Sequence, residues 1–360
     1  RIEPYEVIDF SANINSLGPS QRGLDALNNQ LRYISHYPDA TNDDVLNAIA
    51  DTYGMDKNQI IVGNGAAELL YAICRLPGYT GAFVPAPGFS EYKEALEASN
   101  IPVRDIFYRP REDDNGKPYF EVPYLALETF AAELKGQDGR IIVFLGNPNN
   151  PDGTLLDKAH IRTVATMLKD ANSLLVIDES FIDFVGNDPL RDNDQSMRSL
   201  INEFDNIIVV HSFTKFYAVP GLRIGAAFGN EKLISHLHQY IPSWSVNTLA
   251  QAYTEAALND VDYIKRTKQE LNEERAFMYN ALDAIEGITV YPPSANFILF
   301  KVNREGITAN TINENLKKDN MIVRNCDSYV GLNNQWVRIA IKDHDTNIKL
   351  VEKLTAILKV

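Results

Sequence analysis

From about residue 40 to residue 240, short apolar runs of strand length alternate with longer amphipathic segments. No other feature of the chain constrains its fold as much. The runs are Ile60-Ile61-Val62, Ile141 to Leu145, Leu174 to Ile177, Ile207 to Val210 and Ile224 to Phe228. Runs this short also fit a buried turn of helix, but their length and β-branched content favour strands. Strands separated by helical segments build an α/β domain around a mostly parallel sheet. Thr41 to Tyr53 reads as one such helix, with Thr41 or Asn42 as cap, Asp43 and Asp44 in its first turn and Gly54 as its stop. Another helix opens at Ala66, after Gly63-Asn64-Gly65. From Asn247 to about Ile285 the pattern turns helical, with a break near Asp260. Beyond it, strands (Asn296 to Val302, Trp336 to Ile341) mix with helices (about Ala309 to Lys318, and His344 to Leu358), as in a smaller α+β domain. The expected division is an arm at 1–35 packing with the small domain, a large α/β domain at 36–245, and a helical connection with the small domain at 246–360.

At 360 residues the chain can bury a large core and form two domains. Its net charge of -14 argues against a nucleic-acid partner, which requires a basic face, although a local cluster of arginines can still bind a small anion. The two cysteines, Cys74 and Cys326, give neither a disulfide framework nor metal-ligand spacing, so a reduced, cytoplasmic setting is expected. No apolar stretch approaches the length of a membrane span and no signal peptide is evident.

Four of the apolar runs are followed at once by polar groups: Asn64 to Ala67, Asn147 to Asn150, Asp178, and Ser212 to Lys215. In open α/β sheets, ligands bind outside the carboxyl ends of the strands, so the four point to one site. In His211-Ser212-Phe213-Thr214-Lys215 the lysine amine can form a Schiff base. Hydroxyls stand one and three residues before it, and Arg223 stands eight residues after it in Gly221-Leu222-Arg223-Ile224-Gly225. An aldehyde-bearing phosphate ester, pyridoxal phosphate, needs such an amine and such anion donors. A carboxylate at Asp178 can keep the pyridine nitrogen of such a cofactor protonated. The plainer alternatives are a surface lysine, an arginine in a structural ion pair and an aspartate capping a strand end. Gly63 to Ala67 can offer free backbone N–H groups to an anion but does not match the dinucleotide fingerprint, so no nicotinamide cofactor is expected. Asn147-Pro148-Asn149-Asn150-Pro151-Asp152-Gly153 is a turn by composition, and the Asn150 amide can donate to a ring oxygen. Arg324 and Arg338 follow strand-like segments. They can clamp a substrate phosphate or carboxylate, or form surface salt bridges.

Together these residues resemble the fold-type I pyridoxal-phosphate superfamily, in its class I/II aminotransferase branch. Within it the chain is most similar to threonine-phosphate decarboxylases of cobalamin biosynthesis, with histidinol-phosphate aminotransferases as close relatives. The resemblance is carried by residues 9–15, Pro87-Gly88-Phe89, Asp178 to Phe184, Thr214 to Gly221, Trp244-Ser245-Val246-Asn247 and Val323-Arg324-Asn325-Cys326. It implies a large mostly parallel-sheet α/β domain plus a smaller α+β domain, with pyridoxal 5'-phosphate as cofactor. Lys215 would be the Schiff-base lysine, Asp178 the pyridinium partner, Asn150 the donor to the ring oxygen and Phe89 the stacking face. Backbone at Ala66 and Ala67, with Ser212 and Arg223, would hold the cofactor phosphate. Tyr37 would reach that phosphate from the other subunit of a homodimer. Arg324 and Arg338 would bind the substrate phosphate, with Asn13 near the substrate.

Phe181 occupies the place where histidinol-phosphate aminotransferases usually carry a tyrosine, which favours the decarboxylase. The N-terminal His-Gly-Gly segment of such decarboxylases, whose histidine helps bind substrate phosphate, is not in these residues. The chain opens at Arg1, and native residues are expected ahead of it. The expected reaction is decarboxylation of an O-phosphorylated amino acid, threonine phosphate before serine phosphate, in the cytoplasm and without nucleic-acid or membrane partners. The alternative is amino transfer with a substrate such as histidinol phosphate. A non-catalytic binding protein would leave Lys215 and Asp178 unused.

Overall fold

The computed structural model describes residues 7–134 and 139–359. Its larger sheet has seven strands. In chain order they are β1 (Ile60–Gly63), β2 (Tyr79–Ala86), β3 (Val103–Phe107), β4 (Arg140–Gly146), β5 (Leu174–Asp178), β6 (Ile207–Ser212) and β7 (Gly225–Gly229). Their spatial order is β1-β7-β6-β5-β4-β2-β3. β7 is antiparallel to both neighbours. The pairs from β6 across to β3 are parallel, so β1 to β6 all run one way. Side chains alternate across the sheet, so Ile207 and Val209 enter one core while Ile208 and Val210 enter the other. Burial on both faces is why these strands read as continuous apolar runs.

Each apolar run expected to be a strand contains one, some extended by a residue or two, while Ile224, Asn296 and Ile341 fall outside theirs. The helix at Asp43–Tyr53 starts after Asn42, but its first turn is held by Asp39. That carboxylate accepts from the Thr41 N–H at 3.0 Å and the Asp43 N–H at 2.9 Å. Gly54 ends it in the left-handed region, φ +66°. The break near Asp260 separates helices Thr248–Leu258 and Val261–Asp283, and the Asp260 side chain accepts from the Tyr263 N–H to start the second.

The smaller sheet has β8 (Ile288–Val290), β9 (Phe297–Val302), β10 (Arg324–Asn325) and β11 (Trp336–Ala340), in the antiparallel order β8-β9-β11-β10. Arg324 and Arg338 lie within β10 and β11 rather than after strands, and they face each other directly in the register. A segment near the N-terminus joins the two sheets. Ile8–Asp9 pairs in parallel with Met321–Ile322, and Phe10 exchanges backbone bonds with Ile322 and Ala340. Five residues on, the Asn15 N–H donates to the Lys215 carbonyl at 3.0 Å. No described helix is long and apolar enough to cross a membrane.

Candidate active site

β6 ends at Ser212 and the chain turns at once into the short helix Phe213–Phe216, which carries Lys215 to the carboxyl edge of the large sheet. Its Nζ donates to Ser212 Oγ at 3.0 Å, and that oxygen lies 2.8 Å from Thr214 Oγ1. Burial lowers the lysine's pKa from the ordinary 10.5 to about 8; the Asp178 carboxylate opposes the shift and the Arg223 cation adds to it. A far larger share of the side chain is therefore free amine near neutral pH than for an exposed lysine, as a nucleophile requires.

Asp178 is the last residue of β5 and is buried. Its Oδ1 accepts from the Ser180 N–H at 2.8 Å and its Oδ2 from the Tyr92 hydroxyl at 2.8 Å. Tyr92 stacks on Phe144 and meets Phe89 edge-on, with centroids 5.6 Å apart.

A third element is an anion cradle. After β1, Gly65 adopts φ +79° and opens the helix Gly65–Cys74, whose first-turn N–H groups at Ala66 and Ala67 have no partner within the helix. A Cβ on Gly65 would come 2.5 Å from Arg223 Nη2, and one on Gly225 would come 2.6 Å from the Ala66 nitrogen. Only glycine lets the guanidinium and the helix start approach so closely. Arg223 holds φ +59°, and its Nη1 donates to the Pro220 carbonyl at 3.1 Å.

Beside these groups opens a cavity of about 730 Å³. Six of the residues expected at the site line it: Asn13, Phe89, Asn150, Lys215, Arg324 and Arg338. Ala66, Ala67, Asp178, Ser212 and Arg223 are not in its wall; Ser212 is bonded to Lys215, and Asp178 reaches Phe89 through Tyr92. Tyr37 stands apart from the wall. It is 81% exposed and stacks on Trp244, with centroids 4.8 Å apart.

Arg338 is buried. Its Nη2 donates to the Ser11 carbonyl at 2.6 Å, and its Nη1 donates to Asn150 Oδ1 at 2.5 Å and to the Tyr329 hydroxyl at 3.2 Å. Its Nε and the Asn13 Oδ1 are buried without a partner among the described residues. Arg324 is exposed, and its Nη2 donates to Ser328 Oγ at 3.2 Å. The Phe181 ring also lines the cavity, with its centroid 5.6 Å from Lys215 Nζ.

Sequence reasoning missed Tyr92, Tyr329 and Glu179. Glu179 is fully buried and accepts from Asn147 Nδ2 at 3.0 Å, Ser196 Oγ at 2.6 Å and the Met197 N–H at 2.6 Å. It thereby ties the turn that carries Asn150 to the strand end that carries Asp178. Its place beside Asp178 was a faint signal. Tyr92 had one in its position three residues past Phe89, and Tyr329 had none.

A buried amine, a carboxylate, an aromatic face and a glycine-cleared cradle of N–H groups and guanidinium fit an aldehyde-bearing phosphorylated ring. The fold and these donors define a pyridoxal-phosphate enzyme of fold type I. The chain belongs to the family "aminotransferase class I and II", which matches residues 5–354, and its cofactor is pyridoxal 5'-phosphate. It is 32% identical over 358 residues to the threonine-phosphate decarboxylase of Salmonella typhimurium (strain LT2), covering 99% of this chain and 93% of that protein. It is 31% identical over 353 residues to the histidinol-phosphate aminotransferase of Methanothermobacter thermautotrophicus, covering 97% and 88%. The crystal structure of the histidinol-phosphate aminotransferase from Clostridium acetobutylicum superposes with a TM-score of 0.86 at 26% identity, covering 98% of this chain and 99% of that one.

Proposed function

We propose that this enzyme decarboxylates an O-phosphorylated amino acid, L-threonine O-3-phosphate before serine phosphate. The product would be (R)-1-amino-2-propanol O-2-phosphate, used in cobalamin biosynthesis. The observation that carries this reading is the direct pairing of Arg324 and Arg338 on adjacent strands, both in the wall of the cavity that Lys215 enters. Bound cofactor supplies a conjugated ring that takes up the electron pair of a breaking bond at the substrate α-carbon, most readily the bond perpendicular to the ring. Arginines that grip a side-chain phosphate leave the α-carboxylate free to turn into that direction and depart as carbon dioxide.

In this reading Lys215 Nζ anchors the cofactor and then returns a proton to the α-carbon. Asp178 keeps the pyridine nitrogen protonated. Asn150, whose Oδ1 is taken by Arg338, would have its Nδ2 left for the ring oxygen, and Phe89 would cover the ring face. Ala66, Ala67, Ser212 and Arg223 would hold the cofactor phosphate, and Asn13 would lie near the substrate. Phe181 brings no hydroxyl to compete at the ring oxygen, which supports decarboxylation over amino transfer.

Residues 36–245 then act as the cofactor-binding domain and 246–360 as the substrate side. We further propose a cytoplasmic homodimer in which Tyr37 completes the neighbouring site. The exposed Tyr37–Trp244 pair and the free, buried Cys74 and Cys326 agree with this. A monomer with full activity at nanomolar concentration in sedimentation and kinetic measurements refutes the dimer.

The second reading, amino transfer from histidinol phosphate, is supported by the similarity to the Methanothermobacter enzyme and uses the same phosphate clamp. An assay of carbon dioxide and keto acid across a panel of phosphorylated amino acids separates the two. We expect carbon dioxide and aminopropanol phosphate from threonine phosphate, with no keto acid. Amino transfer from histidinol phosphate to 2-oxoglutarate, with no carbon dioxide from any substrate, would overturn the proposal.

A further inference from the structure

Arg324 and Arg338 sit directly opposite on neighbouring strands, an arrangement that like charges disfavour. Tyr329 touches both. It lies between β10 and β11, is 9% exposed and lines the cavity. The Arg324 guanidinium stands over its ring, 5.5 Å from the centroid. Its hydroxyl accepts from Arg338 Nη1 at 3.2 Å and donates its own proton to Asn150 Oδ1 at 3.3 Å. The loop is fixed in turn: the Tyr329 N–H donates to the Cys326 carbonyl, and the Cys326 N–H donates to the Trp336 carbonyl. A phenol is rigid, so the separation between the face under Arg324 and the oxygen on Arg338 cannot vary.

We infer that Tyr329 is the specificity-determining residue of the anion site, spacing the two guanidiniums for a tetrahedral phosphate and against a planar carboxylate. A carboxylate is gripped best by two parallel N–H groups of one arginine. In Arg338 the Nη1 hydrogens are engaged on Asn150 and Tyr329 and one Nη2 hydrogen on Ser11, which closes the end-on pair and leaves the Nε–H and one Nη2 N–H. The discrimination then lies in the spacing of the two guanidiniums, which suits an anion whose several oxygens can reach two cations at once. The inference rests on the decarboxylase reading only in taking phosphate as the anion.

The test uses cofactor-loaded full-length protein: wild type, Tyr329→Phe and Tyr329→Leu, titrated calorimetrically with propyl phosphate and with butyrate. KM and kcat for threonine phosphate are measured alongside, and visible absorbance and circular dichroism report cofactor and fold. Wild type should prefer propyl phosphate. Tyr329→Phe, which keeps the ring and loses the hydroxyl, should weaken propyl phosphate about 10-fold. KM should rise in step, with kcat within about twofold and butyrate affinity unchanged. Tyr329→Leu should weaken propyl phosphate further; if it loses cofactor, Tyr329→Phe alone decides. Unchanged phosphate affinity in Tyr329→Phe overturns the inference, as does an equal loss for both anions. A wild type that prefers butyrate counts against the decarboxylase reading and also removes the phosphate specificity assigned to Tyr329. Loss of butyrate affinity in Tyr329→Phe would then retain it only as a spacer of the arginines.

Discussion

On the large sheet the candidate site residues Asp178 and Lys215 stand at a strand end or a few positions beyond it, whereas on the small sheet Arg338 is the middle residue of β11. The two placements are held differently. Lys215 bonds to Ser212 and Asp178 to Ser180, so short-range contacts aim one end of each, with Tyr92, 86 residues away, on the other Asp178 oxygen. Arg338 is aimed by Ser11 and Asn150, 327 and 188 residues away in the chain. On the proposed assignments the cofactor side is built into one sheet edge, and the anion side forms only where two sheets and an N-terminal segment meet. Damage to the first should therefore abolish the chemistry, while damage to the second should spare the cofactor and lose the substrate.

The largest expected effect tests the sheet edge. Lys215→Ala should lower turnover on the order of 10⁴-fold or more. It should also abolish the borohydride-fixed adduct that mass spectrometry places on that residue in wild type. An adduct on another lysine in cofactor-saturated wild type would break the comparison at its strongest point. The same residue gives a pH test. Capture of cofactor by stripped protein needs the free amine, so its rate should climb as pH rises through about 8 rather than through the ordinary lysine range near 10.5. A rise seen only at the higher pH would show that burial does not tune this amine.

Arg338→Ala should cost roughly 10²-fold or more in kcat/KM for threonine phosphate while the adduct at Lys215 still forms. Loss of cofactor in that variant would mean that the two sides are not separable. The smallest effect sharpens the cofactor side: Tyr92→Phe removes one hydrogen bond to the buried Asp178. A charged hydrogen bond is worth about 1.5–3 kcal/mol, and at the lower end of that range turnover falls about 10-fold with substrate affinity unchanged. A change in KM alone would place Tyr92 on the substrate side instead.

The same contrast decides what could be read from the chain. β1, β4, β5 and β6 were legible because burial on both faces makes them unbroken apolar runs, and the polar residues after them follow from sheet direction. β2 and β3 were not, because Gly81 and Pro85 interrupt one and Arg104 and Asp105 the other, and their strand state is imposed by neighbours already in the sheet. The hairpin of Arg109–Glu112 with Pro118–Glu121 is mostly exposed and polar, so it carries no apolar period. The arginines were visible as residues, but their register opposition was not, since pairing across strands leaves no mark in either segment. Tyr92, Glu179 and Tyr329 act through partners distant in the chain, which spacing along one sequence does not reveal.

Backbone bonds from Phe10 to Ile322 and Ala340, and from Asn15 to Lys215, carry a consequence for biosynthesis. Chains emerge from the ribosome N-terminus first, and their earliest segments fold with whatever has already appeared. Residues 8–10 have their partners near the far end of the chain, so they must wait, unpaired, through most of translation. A nascent chain halted after β7 would hold Lys215, Asp178 and the glycine cradle, but neither arginine nor the strands that seat this segment. On the proposed assignments such a fragment would carry the cofactor side without the anion side, and the last part of the chain to be made would complete the site.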